Sequence, residues 1–182
     1  MSTARNQIAA VLSFWREGGR EKWFAKDEAF DHAFRAGFRK VHMAAAAREC
    51  DEWMESAEGA LALVLMLDQF PRNAYRGTGH MYATDPLARH FARLAVAAGY
   101  PAEIEPALRV FFHLPFSHSE DLADQDVAVE LNRTLDKDSL DWARHHRDIV
   151  ARFGRFPHRN ALLGRHTTAE EAAFIAEGGF EG

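Results

Sequence analysis

Three stretches of the 182-residue chain gather the side chains that could do chemistry: "LDQFPRNAYRG" at 67–77, "HLPFSHSEDLADQD" at 113–126 and "GRFPHRNALLGR" at 154–165. The first and third share one motif, Phe-Pro followed by Arg-Asn, with one residue inserted in the later copy. The first copy offers Asp68, Arg72, Asn73 and Arg76; the later one offers Arg155, His158, Arg159, Asn160 and Arg165. A guanidinium presents planar, forked donors, so several converging forks would take a carboxylate or a phosphate in two-point contact. The same arginines can instead satisfy the carbonyls at a helix end and pair with carboxylates such as Asp68. Both readings stay open, and the two motif copies are expected to face each other.

The middle stretch is the richest in polar groups. On a helix starting near 118, His118, Asp121 and Gln125 fall at i, i+3 and i+7 and share one face. An imidazole beside a carboxylate is the arrangement of a general base and its orienting partner, which makes His118 and Asp121 the catalytic candidates. A buried polar cluster that fixes helix packing would use the same residues. Glu120 and Asp124, at i and i+4, lie on a second face, and Glu120 joins His118, Asp121 and Gln125 among the candidate ligand-binding residues.

Other chemistries lack their patterns. The chain has no Glu-x-x-His and no His-Glu-x-x-His, which argues against di-iron and zinc-protease helices, and no metal is expected. Gly-x-Ser-x-Gly, the Walker loop and Gly-x-Gly-x-x-Gly are all missing, and no cofactor is expected. Neighbouring residues on a helix point apart, so at most one of His145 and His146 in "RHHRD" can face a pocket. Four tryptophans and fourteen phenylalanines recur at helical spacing and read as core.

A net charge of -5 works against non-specific nucleic-acid binding, so nucleic acid is not an expected partner. The longest apolar run, "ALALVLML" at 60–67, is too short to span a bilayer, and the first residues lack the pattern of a signal peptide. Cys50 is the only cysteine, which excludes an internal disulfide and fits a cytoplasmic address. An anionic small molecule or an acidic peptide group is the expected partner; the oligomeric state is left open.

The elements that must position these residues read as helices throughout, with no alternating strand pattern and no hairpin turn. Ile8, Val11, Leu12 and Trp15 mark a first helix that starts at Ser2 or Thr3 and stops at Gly18 and Gly19. Asp27 caps a second helix with a ridge of Phe30, Phe34, Phe38 and Val41. The stretch from Ser56 is apolar on all sides and predicts a central helix ended by Pro71, after which Asn73 takes the left-handed turn. Asp85 caps the next, with Leu87, Phe91, Leu94 and Ala98 as its buried stripe and Gly99 past its end. Pro115 cuts off a short helix, Ser117 with Glu120 forms a capping box, a helix from Asp138 stops at Gly154, and Thr167 with Glu170 forms a second box. The expected fold is all-α, with eight or nine helices in antiparallel hairpins and one domain over 1–182.

"LALVLMLDQFPRNAYRGTGHMYATDPLAR", "FFHLPFSHSEDLADQ" and "RFGRFPHRNALLGRHTTAEE" together resemble an uncharacterised, mainly bacterial family known as domain of unknown function nine-two-four. The resemblance spans nearly the whole chain and implies a tetratricopeptide-like right-handed helical array without an established activity. The motif residues it carries over include those selected above, together with Gln69, Ser119 and Gly164. Three functions follow as expectations: a binding module for an anionic group, which ranks first; a hydrolase-type enzyme using His118 and Asp121 with arginines stabilising an anion; and a structural protein-interaction subunit. Whether the chain is an enzyme is left open.

Overall fold

The structure is a computed structural model that describes residues 3–180. Among the described residues the chain is all-helical, with eight α-helices, five short 3-10 turns and no strand. The helices are α1 (Thr3–Trp23), α2 (Glu28–Ala46), α3 (Ala57–Ala74), α4 (Asp85–Ala97), α5 (Val110–Ser117), α6 (Leu122–Asn132), α7 (Lys137–Phe153) and α8 (Ala169–Ala176). They fall into two compact units. The first runs up to Arg76 and resumes over His80–Pro115; the second comprises Gly77–Gly79 and the chain from Phe116 onward.

The first unit is built around α3, whose side chains are buried on every face from Gly59 to Pro71. The Ser56 hydroxyl accepts the Gly59 amide and opens the helix, and Gly59 lies so close to the Trp53 carbonyl that a Cβ there would sit 2.1 Å from its oxygen. The aromatic ridge expected on α2 packs as core: Phe34 lies 5.1 Å from Phe70 of α3 and 5.4 Å from Trp15 of α1. Asp27 caps α2 through the Phe30 amide, and Val11, Leu12 and Trp15 are the buried stripe of α1, whose regular path breaks at Gly19. The Ser2 start of that helix lies outside the described residues.

Several expected boundaries differ. Helix α3 continues through Pro71 to Ala74, so Asn73 is helical and its backbone is not left-handed. Proline removes the amide that would reach the Leu67 carbonyl four residues back. The Thr84 hydroxyl donates to that carbonyl instead, which lets the helix pass the proline. Pro115 likewise lies inside α5 and does not end it. Thr84, not Asp85, stands at the N-cap of α4, and the helix turns Ala88, Phe91, Ala92 and Ala95 inward while Leu94 is 47 % exposed. Small residues there permit close approach to α3. Gly99 (φ 79°) and Gly154 (φ 69°) take the left-handed conformation at the ends of α4 and α7, as expected.

The second unit packs α6 against α7, and its apolar cluster is Ile149, Val150 and Phe156 with Phe153, Phe174 and Phe180. The capping box read at Ser117 and Glu120 does not form, because Asp121 caps α6 through the Ala123 amide. The second box forms one residue later than expected, at Thr168 and Glu171. Among the described residues no helix is long and apolar enough to cross a membrane.

Thr84→Val should therefore lower stability by about 1–2 kcal/mol, the cost of leaving a carbonyl without its donor. Pro71→Ala, which restores the backbone donor, should recover part of that loss in the double variant; chemical denaturation of the four proteins gives the cycle, and independent, additive effects would refute the link.

Candidate functional site

In the first unit the Phe-Pro-Arg-Asn motif occupies the last turns of α3, and its polar groups are met locally. Asp68 is buried, accepts from the Gln69 amide at 2.7 Å and lies 3.2 Å from Arg72. Arg72 donates to the Asp68 carbonyl at 2.8 Å and forks onto both oxygens of Asp85 at 2.8 and 3.0 Å. Burial disfavours the Arg72 charge, but Asp68 and Asp85 outweigh it and hold the guanidinium firmly ionised. Asn73 and Arg76 both reach Asp31 of α2, at 2.7 and 2.9 Å. Helix-end carbonyls and carboxylates thus engage the arginines of this motif, and the bonds tie α3 to α2 and α4.

From Phe116 onward the other two stretches lie in the second unit. Gly154 ends α7 and releases Arg155, which forks onto Glu171 at 2.6 and 2.9 Å. Glu171 also accepts from Asn160 and from the Thr168 amide, and the Arg155 bond is the largest of the influences that bring its pKa down to about 2. Glu120 accepts Arg165 on both oxygens at 2.7 Å each and the Phe156 amide at 2.9 Å. Burial raises the pKa of Glu120, but the Arg165 bond, that amide and the charges of both Arg159 and Arg165 bring it below the ordinary value. Arg159 is buried, with its guanidinium 4.7 Å from the Phe156 ring centre. Two guanidiniums therefore bear on one carboxylate.

Imidazoles gather beside Arg159. His146 lies on the half-buried side of α7 with Nδ1 2.8 Å from the Trp142 carbonyl; in the neutral ring this nitrogen carries the proton, and Nε2 is the lone-pair site. Burial, with His118, His145 and Arg159 nearby, brings the His146 pKa down to about 4 against the pull of the Trp142 carbonyl. His158, whose buried Nδ1 makes no hydrogen bond within the protein, falls to about 3 through burial and the charge of Arg159, with His146 and His118 adding to the effect. Only His146 of the adjacent pair is drawn in, since His145 is exposed. His118, His146, His158, Arg159, Arg165 and Glu120 are the groups this unit brings together.

The shared helical face expected for His118, Asp121 and Gln125 does not exist, because α6 begins only at Leu122. Asp121 is exposed and occupied with its cap. Gln125 is buried, and its amide nitrogen holds the Ser117 and Ser119 carbonyls at 2.7 and 2.6 Å, which folds the segment carrying His118 back over α6. The Ser119 hydroxyl donates to Asp124 at 2.8 Å and adds to the same turn. Among the described residues no group of three or more His, Cys, Asp or Glu side chains is arranged to hold a metal ion.

Comparison with known proteins agrees with this helical architecture. Residues 11–179 match the family described as bacterial protein of unknown function, DUF924. A solved structure of a protein of unknown function, ATU0120 from Agrobacterium tumefaciens, is 55 % identical with a TM-score of 0.93, covering 95 % of this chain and 98 % of that one. No curated protein matches the chain.

His146 and His158 should titrate in NMR spectra with midpoints near 4 and 3. An unfolded imidazole titrates near 6.5, so the unfolded chain binds more protons in between and folding stability should fall as pH drops from 6.5 towards those values. Glu171 adds a lower window: its contribution is complete above its ordinary 4.5 and is lost as pH falls through about 2, so Glu171→Gln should flatten the melting-temperature profile there. Ordinary midpoints for both histidines would contradict the buried cluster.

Proposed function

We propose that this chain, which belongs to the DUF924 family of bacterial proteins, is a helical binding module whose second unit captures the carboxylate or phosphate of a small molecule or of an acidic peptide group. The observation that carries the reading is that the buried Arg159 and the half-buried Arg165 both act on Glu120, while beside them His158 keeps a buried Nδ1 that makes no hydrogen bond within the protein. A ligand carboxylate or phosphate would meet these guanidiniums beside Glu120. At an effective dielectric of about 20, one such contact at about 4 Å amounts to roughly 4 kcal/mol before desolvation is subtracted. The reading keeps the tetratricopeptide-like array of antiparallel pairs as its scaffold, with α6 and α7 as the pair that carries the histidines.

The imidazoles give the reading a chemical signature. Nε2 of neutral His146 offers a lone pair, which an anion does not welcome; an anion placed there favours the protonated ring. Binding is therefore coupled to proton uptake and strengthens as pH falls. The hydrolase reading, with His118 as base and Asp121 as its orienter, ranks behind this one because the Asp121 carboxylate already accepts the Ala123 amide at 2.9 Å.

Isothermal titration with inorganic phosphate, glutarate and an acidic peptide, run in buffers of different ionisation heat, is the test. Saturable heat with net proton uptake is expected, growing from about pH 8 to about pH 6. Arg159→Gln should weaken binding by about tenfold or more, and Arg159→Lys by less, since a fork is lost but the charge remains. Absence of heat from every anion, or an Arg159→Gln protein that binds like the wild type, would end the reading.

A further inference from the structure

The first unit holds an imidazole of its own whose bonding is incomplete. His42 of α2 is fully buried, and its Nδ1 lies 2.8 Å from the Met66 carbonyl of α3. In the neutral ring that nitrogen carries the proton, so Nε2 keeps the lone pair. The two nitrogens of an imidazole point nearly opposite ways; with Nδ1 turned to α3, Nε2 faces away from it. That Nε2 is buried and makes no hydrogen bond within the protein, which is costly for an acceptor unless something meets it.

Phe70 stacks on His42 at 4.8 Å, and two rings from the chain after α3 stand close by, Tyr75 at 5.9 Å and His80 at 5.8 Å. His80 is exposed and packs against Tyr75 at 3.9 Å, while the Ala83 amide holds its carbonyl at 3.1 Å. Burial, with His80 adding to it, lowers the pKa of His42 against the pull of the Met66 carbonyl, so the lone pair is available at neutral pH. Neither histidine belongs to a metal-binding motif, since they come from different elements and only the fold pairs them.

An imidazole whose Nδ1 proton is held by a backbone carbonyl is the form in which histidine ligates a metal through Nε2. Two imidazoles on one ion, at about 2 Å per nitrogen, hold their centres roughly 5 Å apart at a tetrahedral angle and about 6 Å apart when the two bonds lie in line. The 5.8 Å between His42 and His80 falls near the in-line spacing. Among the described residues no third His, Cys, Asp or Glu completes a metal-holding group with them. The Arg35 guanidinium, 5.3 Å from the Tyr75 ring centre, weighs twice as heavily against a doubly charged ion as against a singly charged one. Zinc asks for four ligands, whereas monovalent copper accepts imidazole and is satisfied by two.

We infer that His42 and His80 form a two-coordinate site for monovalent copper. The buried ring is the fixed ligand, and the exposed one admits and releases the ion. The inference is independent of the anion reading, which concerns other residues.

The test titrates the protein anaerobically with Cu(I) against bicinchoninate, a coloured competing chelator, and follows the histidine ring signals by NMR. The wild type should retain one equivalent of Cu(I), and the signals of His42 and His80 should shift together up to that ratio. His80→Ala, a change at an exposed position, should weaken binding by more than about 100-fold, since removing a ligand costs more than disturbing its support. His42→Gln should do the same, and His80→Ala carries the test if that variant does not fold. Cys50→Ser should bind like the wild type, which separates the imidazoles from the buried thiol. A wild type that cannot hold Cu(I) against the chelator would overturn the inference and leave the His42 lone pair to water. So would undiminished binding by His80→Ala, loss of binding in Cys50→Ser, or Zn(II) shifting the same two signals at the same or lower concentration.

Discussion

Taking a charge out of water costs several kcal/mol unless an opposite charge and hydrogen bonds meet it, and the motif residues of both units are arranged by that requirement. In the first unit the buried helix α3 brings Asp68 into its own interior-facing last turns, and Arg72 supplies the counter-charge while forking onto Asp85 at the start of α4. Sequence-distant helices are thereby fixed to one another by a polar contact that tolerates little displacement. A lysine at 72 would keep the charge and lose the fork, and with it the two-point hold on Asp85.

The charged contacts of the two units are arranged differently. Arg72 faces two carboxylates, Asp68 and Asp85, whereas Glu120 faces two guanidiniums, Arg159 and Arg165. Repetition of Phe-Pro-Arg-Asn in the sequence therefore does not produce repetition in electrostatics. The first copy is helical and its arginines bind backbone and carboxylate within reach of α3. The second copy follows a helix end at Gly154, so Arg155, Arg159 and Arg165 spread to Glu171 and Glu120. The inserted residue marks a change of backbone path, and that is why similar letters perform different tasks.

Much of the helical frame was legible because its determinants are local. Asp27, Ser56, Gly99 and Gly154 mark helix ends through their own side chains or backbone conformations. The boundaries that could not be read depend on distant partners. Pro71 ends a helix by local rules, yet Thr84, thirteen residues on, takes up the orphaned Leu67 carbonyl. Glu120 fits a capping box with Ser117, yet Arg165, forty-five residues away, claims its carboxylate. Leu94 has the right period for a buried stripe, but alanines occupy the side of α4 that approaches its neighbours. Most of the candidate residues in the second unit were visible as residue types. His146 was visible only as one of a pair, and Phe180 not at all, because a lone phenylalanine after two glycines carries no pattern.

Burial and the charge of Arg159 keep two imidazoles of the second unit uncharged. Protonating His146 or His158 beside Arg159 would set like charges together in a poorly solvated place, and burial adds to the penalty, so both rings stay neutral. Neutral rings still pack: Phe180 meets both imidazoles edge to face, and Phe156 meets His146 edge to face and His158 at a tilt. The bond from His146 Nδ1 to the Trp142 carbonyl fixes which nitrogen is left to accept a proton. The cluster is thus apolar enough to fold around and close enough to a guanidinium that the protonation state of its walls responds to nearby charge. A core of aliphatic side chains would be equally dry but would have no such response, and a surface arginine would have the charge without the dryness that gives it reach.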